Sequence, residues 1–155
     1  QFATYSSCTT PADIEAEKRR LVEKLFLTPE QAEAVQTESI LNLFSGELGH
    51  RILQAPQIIR EWKFSCLVPS ELLYPQVTGE EIMLQGVVDC FLIEDDGICV
   101  IDFKTDFVTP ETVEQRARYY ARQVEAYGLA LEKMYHLPVK EKILYFFHLD
   151  QAICL

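Results

Sequence analysis

The pattern of apolar and polar positions changes character at Gln57. Before it, helix signals divide the chain. Thr10-Pro11-Ala12-Asp13 sets Thr as N-cap, Pro at the first helical position and Asp three after the cap. That arrangement satisfies free N–H groups of a first turn, and it predicts a helix to about Leu27. Thr28-Pro29-Glu30-Gln31 repeats the device and predicts a helical stretch towards Phe44. Gly46 breaks that stretch, and ELGHRILQA reads as one more short helix.

From Gln57 the period becomes two. In IIREWKFSCLVP, Trp62, Phe64 and Cys66 fall on one face, and Ile59, Glu61 and Lys63 on the other. This predicts a strand closed by Pro69. Residues 70–80, with Pro75 and Gly79, read as a loop. Two strands follow, Ile82 to Glu94 and Ile98 to Lys104, apolar enough that both faces should be buried. Thr109-Pro110-Glu111 starts a long helix to about Tyr135, Pro138 stops it, and VKEKILYFFHL is a last strand. Helices, three strands, a long helix and a strand predict an α/β fold: a mixed central sheet flanked by helices on both sides. Residues 1–56 form a helical lead-in to a single domain, and residues 57–155 carry the sheet.

Composition narrows this picture. The 155 residues, 48% hydrophobic, suffice for one domain with a real core and are too few for two. There is no signal peptide and no apolar run long enough to span a membrane. The chain begins at Gln1 and not at Met, and is read as a piece of a longer protein. A formal net charge of -10 counts against a free-standing nucleic-acid binder. It leaves room for a module to which nucleic acid is delivered by a larger assembly. The five cysteines include no C-x-x-C, so neither an iron–sulfur cluster nor a zinc site is expected. Cys66, Cys90 and Cys99 lie in apolar strands and are expected to be buried thiols in a reducing cytoplasm.

Three charges interrupt the apolar strand pair. In GVVDCFLIEDDGICVIDFKTD, Asp89 sits inside the first strand, and Asp102 and Lys104 close the second. Asp96-Gly97 is a strong hairpin signal. With these two at the centre of a type I′ turn, Asp95 pairs with Ile98. Asp89 then lies opposite Lys104 and diagonal to Asp102, all three on one face. Diagonal neighbours are roughly 7–8 Å apart, near enough for two carboxylates to reach one cation. A divalent cation would keep both ionised and lower the pKa of a bound water. Lys104 could orient that water or meet charge growing on a phosphate. The alternative is a structural Asp–Lys salt bridge with a spare carboxylate. The spare charge disfavours it, because a buried carboxylate without a partner is costly.

The residues resemble a known family. GVVD, then a short hairpin, then VIDFKTD resembles the core of the PD-(D/E)XK nuclease superfamily, and Asp-Phe-Lys-Thr-Asp resembles its RecB-type branch. QVEAYGLALEK carries Gln123 and Tyr127 at the spacing of that branch's Q-x-x-x-Y motif. The lead-in SGELGHRILQA, then IIREWKF, and the ending PVKEKILYFFHL are similar to the C-terminal nuclease domain of AddA-type helicase–nucleases.

The resemblance implies a restriction-endonuclease-like fold, with residues 57–155 as a catalytic core. It implies a Mg²⁺-dependent exonuclease domain, with Mn²⁺ as a substitute, that processes double-strand DNA ends for recombinational repair. DNA, the helicase part of the same chain and a second subunit would be its partners. Asp89 and Asp102 would be metal ligands, with the carbonyl of Phe103 a third. Lys104 would be the catalytic lysine, Gln123 and Tyr127 would position the DNA strand, and Glu61 would stand near the metal. RecB-type domains also carry a metal-binding His in a box like G-T-x-x-H-x-x-L-Q. This chain has no such box, Gln1 being at most its last residue, and His50, His136 and His148 do not match it.

Simpler readings stand beside these. Tyr127 shares its helix with an apolar stripe of Val113, Ala117, Tyr120, Val124, Leu131 and Met134, so pattern alone makes it core. Arg118 and Arg122 read as solvated or Glu-paired, Glu61 as a salt-bridge partner, and Asp106 as a strand end or an arginine anchor. A non-catalytic scaffold with a nuclease fold is the competing function. Retention of Asp89, Asp102 and Lys104 together disfavours it.

Overall fold

The structure, a computed structural model, describes residues 8–155. Gln1, read as a remnant of a histidine box, lies outside the described residues. The chain divides into two compact units that meet in sequence at Gln54 and Ala55.

Among the described residues, the first unit holds four helices: α1 (Pro11–Glu23), α2 (Pro29–Ala34), α3 (Thr37–Ser45) and α4 (Glu47–Gln54). Both predicted caps form. Asp13 N–H donates to Thr10 Oγ1 at 3.2 Å while Thr10 N–H donates to Asp13 Oδ2 at 3.0 Å. Gln31 N–H and Thr28 exchange the same pair of bonds at 3.2 and 2.9 Å. The ends differ from expectation. Leu25 adopts a left-handed φ of 60°, and the N–H groups of Phe26 and Leu27 both fold back to the Leu21 carbonyl, so α1 stops at Glu23. Val35 turns extended and splits the predicted second stretch into α2 and α3. Gly49 permits a close crossing of α3 and α4, since a Cβ there would stand 2.1 Å from the Leu43 carbonyl oxygen.

The second unit is a five-stranded mixed sheet in the order β1-β2-β3-β4-β5, with one long helix. The elements are β1 (Gln57–Pro69), β2 (Glu81–Glu94), β3 (Gly97–Lys104), α5 (Val113–Tyr135), β4 (Val139–Phe146) and β5 (Gln151–Cys154). β3 and β4 pair in parallel, the other neighbours antiparallel. A turn over Thr109–Thr112 precedes α5, so the helix begins four residues after its sequence signal. The short β5 carries no strand signal in the sequence. Asp150, at φ 50°, turns the chain back after β4. The α5 face of the sheet carries the core, with Phe64, Val88, Phe91, Val100, Leu144 and Phe146 packed with Val124, Tyr127 and Leu131 of the helix. On the other face Cys90, Leu92, Cys99 and Ile101 are also buried. Cys66, expected to be buried, is only half-buried.

The β2–β3 hairpin departs from the predicted register. Glu94 pairs with Gly97, so the turn residues are Asp95 and Asp96, and neither has positive φ. The glycine is needed one position later. Gly97 has φ 142°, and a Cβ there would sit 2.5 Å from the Pro138 carbonyl oxygen. That carbonyl accepts from Ile98 N–H at 2.8 Å. The pairing therefore shifts by two residues, an even number, which preserves the predicted faces.

Candidate active site

The site forms where β2 and β3 part. Their ladder ends at the pair Cys90–Ile101. One residue further, the register sets Asp89 level with Asp102, and not opposite Lys104 as a type I′ turn at Asp96-Gly97 implies. Beyond this point β3 keeps β4 as its neighbour, with Asp102 beside Leu144 and Lys104 beside Phe146. The Asp89 carboxylate fills the gap left by the lost ladder: its Oδ2 accepts from Phe103 N–H at 3.0 Å.

A matched irregularity in β1 and β2 places Asp89. The ladder between them skips Glu61 and Asp89, while Arg60–Cys90 and Trp62–Val88 pair on either side. Ile59 and Trp62 both pack into the α5-side core, as do Val88 and Phe91. Alternation is thus interrupted in both strands at one level. This corrects the expectation that Ile59 faces away from Trp62. The backbone cause is Glu61, which takes a left-handed φ of 50° inside a strand, a conformation costly for a residue with a Cβ. Its side chain is exposed, and no hydrogen bond or ion pair ties it to Asp89, Asp102 or Lys104. Glu61→Gly is therefore expected to stabilise the protein by about 1 kcal/mol. A urea midpoint below that of the wild type would show that the position needs the carboxylate.

Asp102 is 1% exposed, and among the described residues its Oδ2 has no hydrogen-bond partner of good geometry. Lys104 Nζ approaches that oxygen to 2.5 Å, a close ion pair with poor hydrogen-bond angles. Burial pushes the Asp102 carboxyl above the usual carboxylate range. Lys104 opposes the rise and the Asp89 charge adds to it. The salt bridge of the simpler reading is present. The carboxylate that reading left spare is instead bound to a backbone N–H.

Lys104 also reaches α5. Its Nζ donates to Gln123 Oε1 at 3.2 Å, and Gln123 Nε2 donates to Tyr127 Oη at 2.5 Å. Tyr127 is buried and meets Phe64 edge-on at 5.9 Å between ring centres. Gly86 leaves room for both rings, since a Cβ there would stand 3.0 Å from Phe64 and 3.4 Å from Tyr127. Burial, with the charges of Asp102 and Asp89, pushes the Tyr127 hydroxyl pKa up. Tyr127 is thus both core and an end of the polar chain that reaches the lysine. The Phe103 backbone runs between the two aspartates, and its ring turns to the other face beside Tyr145 and Phe147.

Two further residues, Tyr120 and Asp106, join the site. Tyr120, read as part of the apolar stripe, places its ring 3.9 Å beneath Lys104 Nζ. Asp106 accepts from Tyr120 Oη at 3.0 and 2.9 Å and pairs with Arg116 at 3.3 Å. Asp106 thus does anchor an arginine. The available signal was spacing, because Tyr120 lies three and seven residues before Gln123 and Tyr127, on one helical face. Arg118 pairs with Glu114 at 3.7 Å on the exposed side of the helix.

Among the described residues, no group of three or more His, Cys, Asp or Glu side chains forms a metal site. The donor set nevertheless fits a hard cation. Among the described residues, Asp102 Oδ2 is buried and held only by an ammonium, and Asp89 stands level with it. Magnesium takes one or two carboxylates and fills the rest of its shell with water and phosphate oxygen.

Comparison with known proteins places the chain in a family. The sequence profile of the PD-(D/E)XK nuclease superfamily matches residues 3–152. An ATP-dependent helicase/nuclease subunit of Clostridium novyi (strain NT) is 36% identical over 158 residues, covering 99% of this chain and 13% of that protein. The protein of the same name from Acetivibrio thermocellus is 41% identical over 140 residues, 87% of this chain and 11% of the relative. That of Bacillus mycoides (strain KBAB4) is 41% identical over 141 residues, 83% and 11%. The chain thus spans only 11–13% of the length of these relatives.

Proposed function

Because the chain belongs to the PD-(D/E)XK nuclease superfamily, we propose that it is the nuclease domain of an ATP-dependent helicase–nuclease, hydrolysing phosphodiester bonds of DNA at double-strand ends. The observation that carries this reading is the meeting of Asp89, Asp102 and Lys104 where β2 and β3 separate. The helicase would occupy the rest of the same long chain, a second subunit would complete the assembly, and the setting would be the cytoplasm. Among the described residues, no helix is long and apolar enough to cross a membrane.

Members of this superfamily are generally divalent-metal dependent. We assign Mg²⁺, with Mn²⁺ as a substitute and no iron–sulfur cluster, to Asp89, Asp102 and the Phe103 carbonyl. When bound, the cation supplies Lewis acidity and a water of lowered pKa. The chain's residues do the rest. Asp102 presents a buried oxygen whose field is little screened by solvent. Asp89 braces the Phe103 backbone beside it. Lys104 points a fixed positive charge into the same space, where it can meet charge developing on a phosphate. Gln123 holds that ammonium from the helix side, and Tyr127 fixes Gln123. DNA brings strong negative charge to a protein of net charge -10, so local positive charge at the site is needed for approach.

The test is cleavage of linear single- and double-stranded DNA with Mg²⁺, with Mn²⁺ and with chelator. Metal-dependent cleavage is expected. Cleavage that survives chelation would overturn the metal assignment.

A further inference from the structure

We propose that Tyr120, clamped by Asp106, is the positioning residue that keeps Lys104 in place once Asp102 no longer holds it; this rests on the nuclease reading above. Among the described residues, the Lys104 ammonium is met by Asp102 Oδ2 at 2.5 Å, Gln123 Oε1 at 3.2 Å and the Tyr120 ring at 3.9 Å. Asp102 supplies the strongest attraction, and it is the one that changes. A carboxylate shared with a divalent cation attracts an ammonium less, and the cation itself repels it. Gln123 is a neutral acceptor on an exposed side chain, so it gives one weak hold. The face of an aromatic ring attracts an ammonium through its quadrupole and does not compete for the cation's ligands.

The ring is held at its hydroxyl end. Its hydroxyl donates to both oxygens of Asp106, and Arg116 pairs with the same carboxylate. Asp106 follows Lys104 by two residues in the chain. The peptide between them is held too, since Phe147 N–H donates to the Lys104 carbonyl at 3.0 Å. Tyr120 is therefore tied to the segment that carries the lysine, and it follows any small movement of that segment. A phenol that donates to a carboxylate also gains electron density in the ring, which strengthens its attraction for the ammonium.

Three variants separate the parts: Tyr120→Phe keeps the ring and loses the clamp, Tyr120→Leu loses the ring, and Asp106→Asn weakens the clamp. In the full helicase–nuclease chain, Tyr120→Leu is expected to lower kcat about 10-fold with KM for DNA unchanged. Tyr120→Phe and Asp106→Asn should lower kcat only a few-fold, about 2–4. A second readout does not use activity. With ¹³C-lysine labelling, the Lys104 ε-methylene protons should resonate upfield because of the ring, and should stay there when Ca²⁺ or Mg²⁺ is added. The shift should persist in Tyr120→Phe and vanish in Tyr120→Leu. Lys104 protons that are not shifted in the wild type, or not affected by Tyr120→Leu, would overturn the inference. So would a Tyr120→Leu protein with wild-type kcat where Lys104→Ala is inactive. A wild-type chain that does not cleave at all would count against the nuclease reading, and the lysine spectrum would still decide the role of Tyr120.

Discussion

Asp89→Asn should abolish cleavage and leave the fold as stable as the wild type, whereas Asp89→Ala should lose both. The two substitutions separate the two jobs of one carboxylate. Its Oδ2 accepts from Phe103 N–H where the β2–β3 ladder has ended. An amide oxygen can take over that acceptor role, so Asn keeps the strand ends joined. Ala leaves the Phe103 N–H without its acceptor in a part-buried site, at a cost of about 1–3 kcal/mol. Neither replacement supplies a negative charge for a cation. Each should lower cleavage about a thousandfold or more, as should Asp102→Asn. Simple electrostatics would suggest the opposite for stability, since removing one of two neighbouring carboxylates relieves repulsion. The hydrogen bond to Phe103 decides the sign. Urea unfolding and a DNA cleavage assay on the same preparations would check this. Near wild-type cleavage by either Asn variant would remove that aspartate from the site.

Lys104→Met should lower cleavage about 100- to 1,000-fold yet bind divalent metal at least as tightly as the wild type. The ammonium lies 2.5 Å from Asp102 Oδ2, the oxygen assigned to the metal, so the lysine competes with the cation in the resting protein. Met fills similar volume without charge. Its cost appears in the metal-free protein, where Asp102, almost fully buried, is left without a counter-charge. Breaking a buried pair in this way typically costs about 3–5 kcal/mol. Added Mg²⁺ should return much of that, so the rise in Tm with metal should be larger for the variant than for the wild type. Titration calorimetry and thermal melts with and without Mg²⁺ measure both effects. Loss of metal binding along with the lysine would mean that Lys104 organises the site structurally.

The caps at Thr10 and Thr28, the strand over Gln57–Pro69, the apolar β2–β3 pair and the long helix were legible because each is a local property. Capping boxes, period-two alternation and apolar runs depend on residues a few positions apart. The helix and strand ends were less legible. Leu25 and Asp150 turn the chain through left-handed φ without the glycine that usually announces it. The presence of three charges in an apolar strand pair marked Asp89, Asp102 and Lys104 as a group, and a hairpin shift of two residues keeps the parity of the β2–β3 pairing as far as Cys90 and Ile101.

By itself, then, the sequence determined the set of candidate charges and the strands that carry them, because these follow from periodicity; Gln123 and Tyr127 stood out only through the resemblance to a Q-x-x-x-Y motif, since pattern alone makes Tyr127 core. The tertiary structure decided which carboxylate pairs with which group. Asp89 goes to the Phe103 N–H and Asp102 to Lys104. That choice depends on where the β2–β3 ladder ends, and on a break in alternation shared by Glu61 in β1 and Asp89 in β2. It also decided that Tyr120 lies under the lysine and that Gly97 serves a contact with Pro138 and not the centre of a turn. Both are contacts between segments distant along the chain, set by how β3, β4 and α5 pack. No local pattern encodes such distances, because packing fixes them only when all the elements are in place.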